Sequence, residues 1–290
     1  MCYYNGQKVT RSEFIRLKGL EKAIKNYNFL DKGVISGFSG TPLAVLIPTS
    51  DKSNFEIVQM EWGLLPPHVK NRDEVQRFRN GYKDEKTGKW KTGYTTLNAT
   101  TENLFVNDWG KKSMFADAVR ERRCLLLSTG FFEWQHIYRK HKKTGENLKT
   151  PDKYPYYISL PEHEYFFMAG IWQPWTDQET GEHVNTLAIT TTTANHLMKQ
   201  VHNSKERMPT ILNDDLAWEW MMQDLTDERI QEIAGTQYPT QQMTACTITK
   251  EFQALLDPTE PFNYMDVPEL ELSLDRPSGE ASEPVQTSLF

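Results

Sequence analysis

The sequence has no apolar run long enough to cross a membrane, and its first residues lack the basic and apolar regions of a signal peptide. Cysteine is scarce: the three residues, at positions 2, 124 and 246, form no CxxC pair and cannot all pair with one another. Cys124 and Cys246 each lie in a short apolar stretch, which predicts buried strand residues. These features indicate a soluble protein of a reducing compartment, the cytoplasm, with no membrane partner.

Residue patterns typical of metal and nucleotide chemistry are also missing. No HExxH segment or Cys/His cluster occurs, and His136 and His141 lie five positions apart in a polar stretch. There is no phosphate-binding glycine-rich loop and no GxSxG segment. The sequence therefore predicts no metal site and no cofactor.

The formal net charge of −6 argues at first against a nucleic-acid partner. However, residues 251–290 hold nine acidic residues and one arginine, a net of −8, so residues 1–250 carry +2. The acidic balance belongs to the C-terminal end, and the nearly neutral remainder permits a local groove for an anionic ligand.

Short β-prone runs predict strands over residues 43–47, 55–60, 123–128, 156–160, 165–172 and 187–193. Apolar spacing and N-cap residues predict helices over residues 10–26, 194–200, 214–222 and 227–234. Because strands dominate the middle and βαβ alternation is rare, we expect a β-rich α+β fold with peripheral helices, formed by one domain over residues 2–262. Residues 263–290 are acidic and poor in large apolar side chains, so a disordered tail is expected there.

Two polar insertions interrupt this pattern. Residues 83–93 predict an exposed loop or hairpin. Residues 138–153 carry six basic side chains, Arg139, Lys140, Lys142, Lys143, Lys149 and Lys153. A solvated hairpin is the commoner meaning of such a charge run, and a phosphate-contacting arm is the alternative.

Cys2 follows the initiator methionine directly, and methionine aminopeptidases remove Met1 when the next side chain is small. The mature chain would then carry a free α-amine and a β-thiol on adjacent carbons. Their reference pKa values, about 7.7–8.0 and about 8.5, leave both groups partly nucleophilic at neutral pH. Such a pair traps an aldehyde as an imine and then closes a thiazolidine ring. The alternative is a chance cysteine at a frayed terminus.

Four further polar residues are candidates for chemistry. Glu133 lies among aromatic residues, which should raise its pKa as proton transfer requires, unless it is an ordinary outward-facing strand residue. His202 follows a predicted helix and is either an acid/base or a structural histidine. Arg207 could grip a phosphate with two hydrogen bonds. Asn98 could orient a nucleophile or cap a helix that is predicted to begin there.

The apolar turn that contains Trp62, Leu65 and Pro66 has two interpretations. It could offer a ledge on which nucleic-acid bases stack, or it could form a buried corner.

Taken in order, these segments resemble the SRAP family, the SOS-response-associated peptidases or abasic-site processing proteins. The similarity covers roughly residues 2–255 and consists of Met-Cys at the start, residues 61–66 (EWGLLP), 97–99 (LNA) with Glu102, 122–125 (RRCL), 130–134 (GFFEW), 155–158 (PYYI), 167–172 (FMAGIW), 191–195 (TTTAN), His202 and 207–209 (RMP).

The resemblance implies a β-rich α+β domain with a positively charged groove. It also implies that Cys2 forms a thiazolidine with the aldehyde of an abasic site in single-stranded DNA, as part of a DNA-damage response. Asn98 would position Cys2, Glu133 would transfer a proton, His202 would act as acid/base, and Arg207 would bind phosphate. The peptidase activity in the family name refers to self-removal of Met1 and to suspected proteolysis. A monomer located in a bacterial cytoplasm and at the nucleoid is expected.

The sequence departs from the family pattern in three places. Tyr3 and Tyr4 replace the usual Gly-Arg after the cysteine, and Thr100 replaces the arginine that usually follows Asn-Ala. Residues 203–206 lengthen the spacing between His202 and Arg-Met-Pro, and Lys205 within them is a candidate replacement for the missing DNA-binding cations. These changes affect DNA affinity more than the chemistry of the cysteine.

The last five residues, 286–290, read Gln-Thr-Ser-Leu-Phe. They resemble the peptides with which bacterial replication proteins bind the sliding clamp, with Gln286, Leu289 and Phe290 as the contact residues. The alternative is a hydrophobic terminus without a partner.

Two other functions stay open. An amidohydrolase with an N-terminal nucleophile would use the same Cys2 to attack an amide. A non-enzymatic clamp-associated module would use only the C-terminal peptide.

Overall fold

A computed structural model describes residues 2–271 of the chain. Gln286, Leu289 and Phe290 therefore lie outside the described residues. The strands are β1 (Tyr4–Lys8), β2 (Phe14–Leu17), β3 (Leu20–Ala23), β4 (Asp31–Ser36), β5 (Leu43–Pro48), β6 (Phe55–Trp62), β7 (Tyr82–Lys83), β8 (Trp90–Lys91), β9 (Asn98–Thr100), β10 (Arg123–Ser128), β11 (Gly130–Ile137), β12 (Asp152–Ser159), β13 (Phe166–Thr176), β14 (His183–Thr193), β15 (Arg207–Pro209), β16 (Ile211–Leu212) and β17 (Thr244–Thr247). The α-helices are α1 (Arg72–Asn80), α2 (Ala116–Glu121), α3 (His196–Val201), α4 (Asp214–Met222) and α5 (Asp227–Ala234), with short 3-10 turns at Ile24–Asn26, Thr101–Asn103, Thr240–Gln242 and Phe252–Ala254.

The centre of the fold is a sheet that closes on itself. Strands β6, β5, β10 and β13 pair in this order, and β14 pairs with β13 on one side and with β6 on the other. Closure leaves no free edge among these five strands. The short strands β9 and β15 extend the sheet from β14, and β16 extends it from β13.

A second sheet, with the order β17-β12-β11-β1-β4, carries the N terminus of the chain. Strand β1 lies antiparallel to β11, and Tyr4 is opposite Phe132. In this register the position before Tyr4 faces Glu133, since partner positions in an antiparallel pair move in opposite directions. The sheet therefore brings the first residues of the chain beside Glu133.

The apolar core has two main parts. One lies among the closed sheet, helices α2, α4 and α5, and the β2–β3 hairpin. The other receives side chains from both sheets, among them Val45, Leu126, Phe131 and Ile158, and it includes Cys2. Cys2 is fully buried, so residue 2 belongs to the core, and the alternative that this cysteine is frayed is wrong.

The predicted β-rich α+β class is confirmed, and each predicted strand overlaps a strand of the structure. Helices α4 and α5 begin as expected after Asn213 and Thr226, whose side chains accept hydrogen bonds from the amides of Leu216 and Arg229. Residues 83–93 contain most of a small hairpin, β7–β8.

The predicted helix over residues 10–26 is wrong. This segment is the hairpin β2–β3, which turns at Lys18 and Gly19, both with positive φ. Such a turn matches the twist of paired strands. The segment is also held by Glu164, whose carboxylate accepts hydrogen bonds from three backbone amides, those of residues 10, 11 and 12.

The domain also continues beyond the expected boundary at residue 262. The Tyr264 hydroxyl donates to the carbonyl oxygen of Ile248, and Asp266 accepts a hydrogen bond of 2.7 Å from the hydroxyl of Tyr154. Glu271 exchanges hydrogen bonds with the side chain of Gln200 in helix α3. The acidic segment therefore contacts the domain as far as residue 271.

A candidate active site around Cys2

The backbone of Cys2 is anchored by Asn98. The side-chain Nδ2 of Asn98 donates a hydrogen bond of 2.9 Å to the carbonyl oxygen of Cys2. The thiol of Cys2 lies 3.6 Å from the carbonyl oxygen of Tyr4. Burial, and then the negative charge of Glu133, raise the pKa of this thiol above its ordinary value, so the protonated form prevails at neutral pH.

Asn98 reaches Cys2 because it lies in strand β9, which pairs in parallel with β14. A role as helix cap, which the sequence left open, is excluded, since the residues that follow continue the strand. The Oδ1 atom of Asn98 is buried and has no hydrogen-bond partner among residues 2–271. One acceptor is thus available beside Cys2, and a buried polar atom in this state is uncommon.

Glu133 is a buried carboxyl group in strand β11, with 3% of its surface exposed. Burial raises its pKa to about 7. The alternative of an outward-facing glutamate is therefore wrong. A carboxyl group with this pKa exchanges its proton near neutrality, as a general acid or base must.

His202 lies directly after helix α3 and is also buried. Its Nδ1 atom is 2.8 Å from the carbonyl oxygen of Arg207, and since a carbonyl only accepts, Nδ1 carries the proton. The turn is fixed to strand β11 by Asn203, whose side chain exchanges two hydrogen bonds of 2.9 Å with the backbone of His136. Burial lowers the pKa of His202 to about 4, so the ring is neutral at neutral pH.

Neutral His202 consequently directs an unprotonated Nε2 atom toward Glu133. The distance from Nε2 to Oε2 of Glu133 is 3.7 Å. The order of the two pKa values keeps the shared proton on the carboxyl group and not on the ring. The pair can therefore release or accept one proton beside Cys2.

A pocket of about 410 Å³ opens over this pair. Its wall includes Tyr3, Glu133, His136, Lys153, His202 and Lys205. Tyr3 is half-buried, and burial followed by the charge of Glu133 raises its pKa. The pocket combines a proton-transfer pair with two lysines, so it suits an anionic substrate that needs proton transfer.

The structure brings Lys205 to this pocket, but it does not leave Arg207 free. The guanidinium of Arg207 forms an ion pair of 2.7 Å with Glu102 and donates to the carbonyl oxygen of Thr191. Its side chain is only 14% exposed. Contact with a phosphate would thus compete with Glu102.

The expectation that Trp62, Leu65 and Pro66 form a stacking ledge is corrected by their burial. The indole nitrogen of Trp62 donates to the carbonyl oxygen of Leu97, directly before Asn98. The buried-corner interpretation therefore describes this turn, which supports the strand that carries Asn98.

Sequence reasoning missed Tyr3, Lys153 and Asn203 as site residues. Tyr3 was noted only as a departure from the family pattern and Lys153 only as part of a basic run, because their place at the pocket depends on the pairing of β11 with β1 and β12. Asn203 could have been suspected from its place in the extended His-to-Arg spacing.

Metal and membrane features are not found among residues 2–271. These residues contain no group of three or more His, Cys, Asp or Glu side chains that could hold a metal ion. Within the same range, every helix is too short or too polar to cross a bilayer.

Known proteins are similar to this chain in sequence or in fold. The family model described as SOS response associated peptidase (SRAP) matches residues 21–254. The chain is 30% identical over 183 residues to abasic site processing protein YoqW of Bacillus subtilis (strain 168), which is 63% of this chain and 65% of that protein. It is 24% identical over 185 residues to abasic site processing protein HMCES of Xenopus tropicalis, which is 58% of this chain and 45% of that protein.

The chain thus spans less than two thirds of the length of these curated relatives. A crystal structure of a protein from Bacteroides thetaiotaomicron matches with a TM-score of 0.63 and 26% identity, over 90% of this chain and 97% of that one. A protein from Bordetella bronchiseptica, 14% identical, shares the fold with a TM-score of 0.56, over 86% of this chain and 100% of that one.

Proposed function

The chain belongs to the SRAP family, and on this basis we propose that it captures abasic sites in single-stranded DNA as a covalent thiazolidine at Cys2. The contact between Asn98 Nδ2 and the carbonyl oxygen of Cys2 carries this proposal. It anchors the second residue of the chain near Glu133, whose charge, after burial, raises the pKa of the Cys2 thiol. A chance terminal cysteine does not need this anchor. Relatives named abasic site processing proteins support the choice of substrate.

Removal of Met1, by an aminopeptidase or by the protein itself, is the first step. It frees the α-amine of Cys2. The amine then adds to the C1′ aldehyde of the opened sugar, and the adduct loses water to give an imine. The Cys2 sulfur attacks the imine carbon, the thiol proton ends on the ring nitrogen, and a five-membered ring results. One water molecule is the only product that leaves.

Glu133 acts as the proton donor in this sequence. Loss of water requires a proton on the departing hydroxyl group, and a buried carboxyl group with a pKa of about 7 holds one near neutrality. In the ring closure the ionised carboxylate accepts the proton of the thiol, whose own pKa is raised. His202, whose Nε2 atom lies 3.7 Å from Oε2 of Glu133, acts before these events, as the acid/base that aids opening of the sugar ring.

Asn98 acts as a positioning residue with two contacts. Its Nδ2 atom holds the Cys2 backbone, and the Oδ1 atom, which has no partner in the described part of the chain, is available to a hydroxyl group of the opened sugar or to the freed amine. Holding the reactants together in this way converts a bimolecular condensation into an intramolecular one.

The DNA strand is bound by cations around the pocket. We propose Lys205 as a phosphate contact, and Arg207 as a second contact that becomes available when phosphate displaces Glu102. We also propose that the protein acts as a monomer. Binding of the sliding clamp through Gln286, Leu289 and Phe290 remains a separate proposal.

A denaturing gel tests the proposal. Mature protein mixed with a uracil-excised single-stranded oligonucleotide should give an adduct that survives denaturation, and the Cys2→Ala variant should give none. Intact, undamaged oligonucleotide is the control and should stay free. Rapid hydrolysis of acyl-amide substrates without any DNA adduct would instead identify an amidohydrolase and overturn the proposal.

A further inference from the structure

A basic arm extends from the strand that carries Glu133. The arm comprises residues 138–150, all exposed, which connect β11 to β12. It is a folded hairpin: Lys140 pairs with Asn147, and the amide of Leu148 donates to the carbonyl oxygen of Arg139. The side chain of Arg139 is fixed at the base by ion pairs with Asp152 and Asp266.

The charge of the arm is not neutralised by the rest of the domain. Residues 138–150 contain five basic side chains and one acidic residue, Glu146. Among residues 2–271, no carboxylate lies within ion-pair distance of the four lysines, Lys140, Lys142, Lys143 and Lys149 (the ion pairs of the described chain involve other groups). Such an uncompensated group of lysines is a binding surface for a polyanion.

The base of the arm borders the active-site pocket. His136 and Lys153 pair across β11 and β12 just below the arm, and both line the pocket that contains Glu133 and His202. Residues 138–142, on the first side of the arm, reach at most about 15 Å beyond this base at roughly 3.3 Å per residue. The lysines of the arm are therefore within reach of a strand that enters the pocket.

We propose that the basic arm binds the phosphate backbone of single-stranded DNA beside the nucleotide held in the pocket. This inference rests on the proposed function. It identifies the part of this chain that binds the DNA on one side of the abasic nucleotide. Each lysine that contacts a phosphate releases counterions, and for single strands each contact adds about 0.7 to the slope of log affinity against log salt.

The arm should change the affinity for DNA and not the rate of the reaction at Cys2. The Debye length at physiological ionic strength is about 8 Å, so exposed charges near the tip, about 15 Å from the base, are screened from the proton-transfer pair. Neutralising the arm should thus leave the rate of adduct formation at saturating DNA unchanged.

A matched control exists in the β7–β8 hairpin. This hairpin also presents three exposed lysines without ion pairs to described residues, Lys83, Lys86 and Lys89, and none of them lines the active-site pocket. Changing three lysines to serine in either element alters the total charge equally. Only the location of the change differs.

The experiment compares mature wild-type protein, Lys140→Ser/Lys142→Ser/Lys143→Ser and Lys83→Ser/Lys86→Ser/Lys89→Ser. Affinity for an undamaged 20-nucleotide single strand is measured by fluorescence anisotropy from about 0.05 to 0.3 M salt. The arm variant should bind the strand about tenfold more weakly at 0.1 M salt, and its slope of log affinity against log salt should be smaller in magnitude by about 2. The hairpin variant should resemble wild type in both quantities. Circular dichroism checks that both variants are folded.

Two results would overturn the inference. An equal loss of DNA affinity in both variants would mean that only the total charge of the protein determines binding. Unchanged or tighter binding by the arm variant would mean that the arm serves another partner, such as an acidic protein segment. If wild type binds undamaged strands but forms no adduct with abasic DNA, the proposed function fails while the role of the arm in binding is still measured.

Discussion

His202 Nε2 lies 3.7 Å from Oε2 of Glu133, and both groups are buried. Burial moves their pKa values in opposite directions, to about 4 for the histidine and about 7 for the glutamic acid. The proton of the pair consequently belongs to Glu133 up to neutral pH. This reverses the usual order, in which a carboxylate loses its proton well before an imidazolium does.

The rate of adduct formation should therefore have a bell-shaped pH dependence. The rising side reflects deprotonation of the α-amine, with an ordinary pKa of about 7.7–8.0, and the falling side begins near 7 as Glu133 ionises. Glu133→Gln should slow the reaction about 100-fold at pH 7 and remove the falling side. Single-turnover rates from pH 5.5 to 9 measure both effects. An unchanged falling side in this variant would exclude Glu133 as the proton donor.

Glu133 should also make the protein less stable at alkaline pH. Its pKa is raised in the folded state, so its contribution to stability is complete below pH 4.5 and is lost as the pH rises through about 7. The shift corresponds to roughly 3 kcal/mol at pH 8. Glu133→Gln should abolish this loss, whereas the exposed-site control Glu162→Gln should keep it. Urea unfolding at pH 5 and pH 8 compares the variants, and an identical pH dependence in all three proteins would contradict the assignment.

Asn98→Ala should separate positioning from intrinsic reactivity. It removes the donor to the Cys2 carbonyl oxygen, which then stays buried without this partner, at a cost of about 1–3 kcal/mol in the free energy of unfolding. The rate of adduct formation with abasic DNA should fall about 10- to 100-fold. The reaction of the mature N terminus with formaldehyde needs no alignment of a sugar and should change much less. Equal losses with both aldehydes would argue that Asn98 acts only through stability.

Glu102→Gln should strengthen the binding of single-stranded DNA. The change removes the carboxylate that pairs with Arg207 at 2.7 Å and makes the guanidinium available to a phosphate. We expect an affinity several-fold higher, with a salt slope larger by about 0.7. The double variant Glu102→Gln/Arg207→Gln should lose this gain, and if it keeps the gain, Arg207 does not bind the strand.

The sequence predicted most strands and the helices after Asn213 and Thr226. Residue types and neighbouring motifs made Cys2, Glu133 and His202 candidates, and the structure brings the last two within 3.7 Å of each other, while their roles stay predictions. The spacing of apolar residues over 10–26 fits a helix, but the turn at Lys18 and Gly19 and the contacts of Glu164 favour a hairpin, and long-range contacts of this kind cannot be deduced from spacing.

The roles of Trp62 and Arg207 show a second limit. An apolar turn and an arginine next to Met-Pro can each face solvent or the protein. The hydrogen bond from Trp62 to residue 97 and the ion pair from Arg207 to Glu102 decide between these states. Both partners are far away in sequence, so only the folded chain reveals them.

Intact-mass spectrometry of the purified protein, before and after it is mixed with abasic single-stranded DNA, addresses the chemistry of Cys2 itself. The active protein should lack the mass of Met1 and should gain the mass of the oligonucleotide minus one water molecule. Cys2→Ser should lose Met1 equally and form no stable adduct. A stable adduct on protein that still carries Met1, or on the serine variant, would contradict thiazolidine formation at the N terminus.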